Sequence, residues 1–352
     1  MSRMSAAGPG PGPWAVVRGW FEKNAQAHVL ASLEQGDALT PYQSYLRVWL
    51  AEMFLAKRVQ WLRERFPAVH AEVRLPFAGQ AAVSFTRVVR PGDDQLGEGV
   101  QINYPLTELL PYGGGVVEVE AALLGLTASD SLAAGVALLE RFSGLIAPPL
   151  GQALAAAAQL TLGARDFLDR AGSGVHLALH QGFSADGGGG GNALRPGYLA
   201  VILASPAQVP VGELRVEGDR LHRGAAPFTA HDFMLLRIEG RDERDDWRSP
   251  AIEAARRGAI DALQRGDKDG AQAYQGAALA AVLNSCDFSE ADKRRIVTAI
   301  KQEWEELAAL GLGAAGEALP DSLNDLVERH PMSRAFAAAL GPLTAEEAFA
   351  TL

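Results

Sequence analysis

The chain has 352 residues, 48% of them hydrophobic and 21% charged, so it is too long for one ordinary domain and too apolar for an intrinsically disordered protein. Its formal net charge of −10 argues against nucleic acid as a partner, because phosphate binding needs a basic surface. The single cysteine, Cys286, excludes an intramolecular disulfide and a metal site of several thiolates. We therefore expect a cytoplasmic protein. Its preference for arginine over lysine, among abundant alanine and glycine, suggests a bacterial origin.

The first part of the chain predicts a tail followed by helices. Residues 1–13 are rich in glycine and proline and have no apolar signal-peptide core, so we expect a disordered tail. Apolar residues then recur at helical spacing. The pair Thr40 and Pro41 is typical of a helix start, and the helix that follows is expected to end at Pro67. Residues 14–67 are therefore predicted to form an N-terminal helical segment.

A β-rich core domain is predicted over residues 71–247, where apolar and polar residues alternate. Alternation with one polar face is typical of half-buried antiparallel strands. Gly218 and Asp219 predict a tight hairpin with a type II′ turn that pairs Val216 with Leu221. This hairpin is expected at residues 214–223, and strands are expected at residues 81–89, 99–104, 116–126, 175–181, 198–204 and 233–239, the last of them central in the sheet.

A helical insertion is predicted at residues 129–170 within this β-rich core. Residues 142–164 of the insertion carry no charge and are numerous enough to cross a bilayer. Pro148 and Pro149 break the run, however, and its alanines favour membrane insertion only weakly. We therefore interpret the segment as a buried helical hairpin packed on the sheet, with a membrane-active segment or a partner-binding helix as alternatives.

The last third of the chain predicts helices. Ser249 and Pro250 form a helix start like that at Thr40, and helical spacing of apolar residues continues from there. Residues 248–352 are therefore predicted to form a C-terminal all-helical domain. The fold class expected from the whole sequence is α+β. Its central, mostly antiparallel, sandwich-like sheet carries the helical insertion and is flanked by the N-terminal helices and the C-terminal helical domain.

Two pairs of residues have spacings found in metal or catalytic sites. His176 and His180 match a helical metal site, but four residues of a strand span ~13 Å, so the two rings are not expected to share an ion. Glu118 and Glu120 lie ~6.6 Å apart on one strand face, as in carboxylate pairs of hydrolases and in calcium sites. The simpler interpretation of both pairs is a solvated polar face, so no metal or cofactor is predicted.

Candidates for catalysis are few, because the sequence lacks the common motifs for a nucleophilic serine, a zinc protease or a phosphate loop. His180, His231 and Asp232 are the candidates for a hydrolase site. A structural role in strand entry or helix capping is the alternative for Asp232. Cys286 has no histidine nearby in the sequence, so we interpret it as a small apolar side chain rather than a nucleophile.

The glycine-rich loop between the strands at 175–181 and 198–204 is the remaining candidate site. It is not expected to bind phosphate, because a strand follows it and no helix dipole points at it. We interpret it as a mobile hairpin connection that becomes ordered if it binds a partner protein. The residues assigned to this partner-binding loop are Gly187, Gly188, Gly189, Gly190, Gly191 and Asn192.

The functional hypothesis follows from the lack of catalytic motifs and from the amphipathic helices predicted at both ends. It is a non-enzymatic, intracellular adaptor that binds another protein within a bacterial multi-protein system. Two alternatives stay open. One is a membrane-perturbing effector that uses residues 131–168, and the other is a hydrolase with a histidine and aspartate site.

Overall fold

The computed structural model of the chain describes residues 29–56, 59–60, 63–77, 80–89, 100–127, 175–187 and 192–309. The predicted tail at 1–13, the predicted insertion at 129–170 and all residues after 309 lie outside these ranges. Fifteen strands and three α-helices are present in the described ranges.

In chain order the strands are β1 (Val29–Glu34), β2 (Tyr45–Phe54), β3 (Val59–Gln60), β4 (Arg63–Phe77), β5 (Gln80–Val89), β6 (Val100–Pro105), β7 (Leu110–Pro111), β8 (Val117–Thr127), β9 (Val175–Ser184), β10 (Asn192–Ala193), β11 (Gly197–Ile202), β12 (Leu214–Glu217), β13 (Arg220–Arg223), β14 (Ala226–Pro227) and β15 (Phe233–Arg241). The helices are α1 (Pro250–Gln264), α2 (Lys268–Asn284) and α3 (Glu290–Ala309).

The strands form three sheets. The first sheet has the order β1-β11-β15-β2-β6, with β7 also paired to β2, and the second has the order β10-β9-β8-β4-β3, with β5 also paired to β4. The third sheet is the small meander β12-β13-β14. These pairs are antiparallel except for the short pair of β9 and β10. β15 lies between β11 and β2, which confirms the central position predicted for it.

The first two sheets share the main hydrophobic core. Val83 and Phe85 of β5 and Val119 of β8 contribute to it from the second sheet, and Leu50 of β2 and Leu236 of β15 contribute from the first. Alternate residues of β5 and β8 face this core, as their sequence pattern predicts. Full burial of such a side chain contributes about 1.5–3 kcal/mol, so this shared core holds the two sheets together.

The third sheet covers part of the other face of the first sheet. Leu221 of β13 packs with Leu235 of β15 in a second hydrophobic cluster. The predicted hairpin is confirmed, since Val216 pairs with Leu221. Its turn is type I′ rather than type II′, because Gly218 and Asp219 both have positive φ, 57° and 61°.

The predicted N-terminal helices are wrong, and with them the α+β fold class, because this part of the chain forms strands. β2 is buried on both faces, with Leu50 in the main core and Ala51 in the cluster beneath the meander. Apolar residues on both faces hide the two-residue period and imitate helical spacing. Thr40 and Pro41 begin a turn and not a helix, and in this turn the Ser44 N–H donates to the Thr40 carbonyl oxygen at 3.0 Å.

The predicted C-terminal all-helical domain at 248–352 is also wrong as a description of the fold. The chain divides into two compact units, and residues 281–298, which end α2 and begin α3, belong to the same unit as the sheets. Residues 250–280 and 299–309 belong to the second unit. The described part of the fold is therefore mostly β, with three helices. The domain boundaries predicted near residues 71 and 247 stay predictions.

No helix in the described ranges combines the length and the apolar character needed to cross a membrane. The charge-free residues 142–164, and the wider segment 131–168, lie outside those ranges. The membrane-perturbing hypothesis therefore stays a prediction.

Candidate functional site

The predicted residues His231 and Asp232 contact different partners. Oδ2 of Asp232 lies 2.9 Å from Nδ1 of His176, and its Oδ1 accepts the backbone N–H of Ala56 at 2.7 Å. Burial acts to raise the pKa of Asp232, but the hydrogen bonds from His176 and Ala56 together hold it below its usual value. His231 instead stacks on the ring of Phe228, with 6.2 Å between the ring centroids.

His176 is held between a carboxylate and a guanidinium. It is the extra residue of a β-bulge in β9, at the register shift between Leu123 and Leu124 of β8. Nε2 of His176 lies 3.0 Å from a guanidinium nitrogen of Arg65. Because arginine only donates, Nε2 is an acceptor and Nδ1 donates to Asp232. Both ring nitrogens are therefore engaged, and these three residues, termed the histidine clamp, connect the two large sheets.

His180 and Glu120 belong to a row of polar residues across the second sheet. Thr86, Glu72, Glu120 and His180 lie opposite one another on β5, β4, β8 and β9. Nδ1 of His180 lies 2.7 Å from Oε1 of Glu120. A guanidinium nitrogen of Arg74 donates to Oε1 of Glu72 at 3.2 Å. These five residues are termed the polar row.

The polar row is mostly buried, so the expectation that Glu120 lies on a solvated face is wrong. Glu72 and Glu120 are each 3% exposed. Arg74 also donates to Glu118 at 3.2 Å, which joins β4 to β8. His70, on the same face of β4, is fully buried, and burial lowers its pKa to about 4, so it is neutral at pH 7. Each buried glutamate of the row has a basic partner, which burial of a charge requires.

The described residues offer no metal site. No three or more histidine, cysteine, aspartate or glutamate side chains among them come close enough together to hold an ion. His176 and His180, which have a metal-like spacing, pair with separate carboxylates, those of Asp232 and Glu120.

The sequence predicted that the glycine-rich loop closes a hairpin, and this prediction is wrong, because the loop connects two different sheets. β9 lies in the second sheet, and β11 lies in the first. Gly187 has a φ of 65°, and Asn192 pairs with Phe183 in the parallel pair of β9 and β10. Residues 188–191 lie outside the described ranges, so the partner-binding role of the loop stays a prediction.

A cleft of about 660 Å³ lies beside the start of α3. One part of its lining comes from the segments that precede β2 and follow β7, and another comes from the turn between α2 and α3. Its size falls in the range of ligand-binding sites. The lining residues are Tyr42, Pro76, Phe77, Pro111, Tyr112, Gly113, Asn284, Ser285, Cys286, Phe288, Ser289, Glu290 and Lys293.

Tyr42 combines an exposed aromatic ring with a strained backbone. The residue is 60% exposed and has a φ of 65°. This left-handed conformation is rare for a bulky residue and costs roughly 1–3 kcal/mol. The Tyr42 N–H donates to the carbonyl oxygen of Tyr112 at 2.6 Å, and its own carbonyl oxygen accepts the N–H of Ala291 at 3.2 Å. These two bonds fix the strained residue and present its ring at the cleft.

A buried network fixes α3 against β2 next to the cleft. The Tyr45 hydroxyl donates to Oδ2 of Asp292 at 2.6 Å and accepts the N–H of Ser289 at 3.0 Å. Burial raises the pKa of Tyr45, so the hydroxyl keeps its proton and remains a donor. Asp292 also accepts the N–H of Arg244 at 3.1 Å and Nε–H of Arg295 at 2.5 Å. These five residues are termed the tyrosine network.

The lining of the cleft carries no net charge. Its two charged residues, Glu290 and Lys293, pair with each other at 2.9 Å. Backbone N–H groups at the start of α3 are also occupied. That of Asp292 donates to Oγ of Ser289 at 3.1 Å, and that of Lys293 donates to the Ser289 carbonyl oxygen at 2.9 Å. The start of the helix is therefore not an anion site, and the cleft suits an uncharged ligand.

Cys286 lines the cleft as a thiol. Burial, and then the carboxylate of Asp287, raise the pKa of the thiol, so the reactive thiolate is not favoured at neutral pH. The cleft therefore has the character of a binding site more than that of a thiol-dependent active site.

Comparison of the chain with family models, with curated proteins and with solved structures finds no match. Among the described residues, the histidine clamp and the charged side chains of the polar row pair with one another, whereas the cleft is open to a ligand.

The cleft is the feature that the sequence predictions missed. In the sequence, Tyr42 lies inside a predicted helix, far from Gly113 and Phe288. One local signal is present, because a run of three glycines predicts a turn, and Gly114 and Gly115 do have positive φ, 87° and 81°. The pairing of β2 with β7 brings this turn beside Tyr42, and no local pattern predicts that pairing.

Proposed function

We propose that the chain is a non-enzymatic, cytoplasmic adaptor that binds another protein within a multi-protein system, and that the cleft is its binding site. The observation that carries the proposal is Tyr42, whose exposed ring lies on a strained backbone at a cleft without net charge. The single cysteine of the chain supports a reducing compartment.

The strain at Tyr42 supports a role in binding. Non-glycine residues in the left-handed region persist where their surroundings enforce the conformation, and such residues cluster at functional sites. Glycine or asparagine adopts this backbone at lower cost, so folding alone gives no reason for a tyrosine here. Tyrosine is, however, among the residues that contribute most to protein interfaces.

Exposed apolar residues that neighbour the lining residues in the chain support a polypeptide rather than a small molecule as the ligand. Leu283, next to the lining residue Asn284, is 56% exposed, and Val116, shortly after the lining residue Gly113, is 50% exposed. Exposed apolar side chains near a cleft extend the contact surface beyond the cleft itself. A protein partner covers such a surface, whereas a small molecule fills only the cleft.

The test is affinity purification of three full-length forms from a native lysate of the source cell. The forms are the unmodified protein, Tyr42→Ala and Tyr274→Ala. Tyr274 is the matched control because it is also exposed, at 43%, and belongs to the second compact unit. We expect a stoichiometric partner that Tyr274→Ala retains and Tyr42→Ala loses. A partner that all three forms retain, or the absence of any partner, contradicts the proposal.

The two alternative functions have less support. The membrane-perturbing hypothesis depends on residues 131–168, which lie outside the described ranges. The hydrolase hypothesis needs a histidine with an available ring nitrogen beside Asp232. His176, the histidine bonded to Asp232, has both ring nitrogens engaged. Both alternatives stay predictions.

A further inference from the structure

Aromatic and proline rings line much of the cleft. Tyr42 is exposed there, Pro76 and Pro111 are half-buried, and Phe77 and Phe288 are buried. Aromatic rings have few rotatable bonds, so they lose little side-chain entropy when they pack against a ligand. The cleft therefore favours a ligand that itself presents rigid, apolar groups.

Hydrogen-bond donors stand among these rings. Tyr42 and Asn284 are exposed and bring a hydroxyl and an amide N–H₂ group. Lys293 donates one N–H to Glu290, and its ammonium group carries three N–H donors in all. Glu290, which accepts from Lys293, is the one carboxylate among these lining residues. The cleft therefore suits a ligand with acceptors, such as the carbonyl groups of a peptide backbone.

Three kinds of ligand fit these features poorly. A charged ligand finds no net opposite charge, because Glu290 and Lys293 pair with each other. An added β-strand finds no donor at Pro76 or Pro111, because proline has no N–H. A helical peptide bonds most of its carbonyl groups internally and so offers few acceptors. An uncharged, extended segment with available carbonyl groups fits best.

We propose that the segment bound in the cleft is proline-rich and adopts the polyproline II conformation. This inference rests on the proposed function and specifies its partner. A polyproline II segment has no internal hydrogen bonds, so its carbonyl groups can accept from the donors of the cleft. Its proline rings pack in aromatic-lined grooves. It is extended before it binds, so it loses little conformational entropy on binding.

The test is selection of random peptides displayed on phage against the full-length protein, with Tyr42→Ala and Tyr274→Ala selected in parallel. The unmodified protein and Tyr274→Ala should enrich peptides whose prolines lie three residues apart, which is the period of polyproline II. Tyr42→Ala should not enrich them. Replacing the prolines of a selected peptide by alanine should weaken its binding by at least about tenfold in fluorescence anisotropy.

The outcomes separate this inference from the proposed function. Peptides that depend on Tyr42 but show no proline pattern overturn the inference and still support the cleft as a binding site. No enrichment, or peptides that bind all three forms equally, contradict both. Tyr42→Asn is the second variant, because asparagine tolerates the left-handed backbone and so removes the ring without adding strain. It should lose the same peptides as Tyr42→Ala.

Discussion

The polar row and the cleft use polar side chains in opposite ways. In the polar row, Glu72 and Glu120 are buried, and each has a basic partner. In the cleft, Tyr42 and Asn284 are exposed, and the backbone of Tyr42 is strained. A closed network of the first kind stabilises and rigidifies a fold, whereas an open, strained site lowers stability and is retained for function.

The difference separates residues that should affect stability from residues that should affect binding. Changes in the polar row, the histidine clamp and the tyrosine network should lower the free energy of unfolding. Changes at Tyr42 should remove partner binding without lowering that free energy. The tyrosine network lies between the two groups, because it is buried and also fixes α3 beside the cleft.

Asp292→Ala should have the largest effect. It leaves donors from Tyr45, Arg244 and Arg295 without their buried acceptor, which typically costs about 3–5 kcal/mol. Partner recovery should fall as well, because α3 loses its anchor. Urea unfolding measures the loss, with Asp245→Ala as the control, since the Asp245 side chain is 91% exposed. Equal stability of the two variants would show that the tyrosine network does not hold α3.

His70 should make the stability depend on pH. Burial lowers its pKa from 6.5 to about 4, so between these pH values the unfolded chain binds a proton at this residue and the folded protein does not. The free energy of unfolding should therefore fall by about 3 kcal/mol as the pH drops through this range. Urea unfolding at several pH values measures the slope, and His70→Gln should remove this part of it. An unchanged slope in His70→Gln contradicts the burial of a neutral imidazole.

Asp232→Asn should have a smaller effect, about 1–2 kcal/mol at pH 7, because it weakens the histidine clamp. The pKa of Asp232 is lowered in the folded protein. Its contribution to stability is therefore fully present above the pKa of the unfolded group, about 4, and is lost as the pH falls through the folded pKa. The difference between Asp232→Asn and the unmodified protein should vanish in acid. His231→Gln leaves the clamp intact and should change stability little at either pH. If the difference between Asp232→Asn and the unmodified protein persists in acid, that result would argue against an ionised Asp232.

Strands with one polar face were predictable from the sequence. In β5 the alternation that ends at Val89 is visible directly, and the hairpin register follows from the turn at Gly218 and Asp219. β2 was not predictable, because apolar residues cover both of its faces. β4 was not predictable either, because Pro67 lies inside it and proline usually ends a strand or helix.

The candidate site was much less predictable than the strands. The histidine clamp depends on a β-bulge at His176, and the cleft combines Tyr42, Tyr112 and Phe288, which lie far apart in the sequence. Residues that meet through non-local strand pairing leave no spacing pattern by which to recognise them. Local chemistry is easier to predict. For example, Ser289 caps α3 through its bond to the Asp292 N–H, a pattern that sequence rules describe.

The central claim is that Tyr42 is retained for binding and not for stability. The most direct test combines urea unfolding and partner recovery for Tyr42→Asn, because asparagine adopts the positive φ of this residue more readily than tyrosine. We predict a free energy of unfolding equal to that of the unmodified protein or higher by up to about 1 kcal/mol, because asparagine relieves backbone strain, together with loss of the partner. A variant that is clearly destabilised and still recovers the partner in full would contradict the claim.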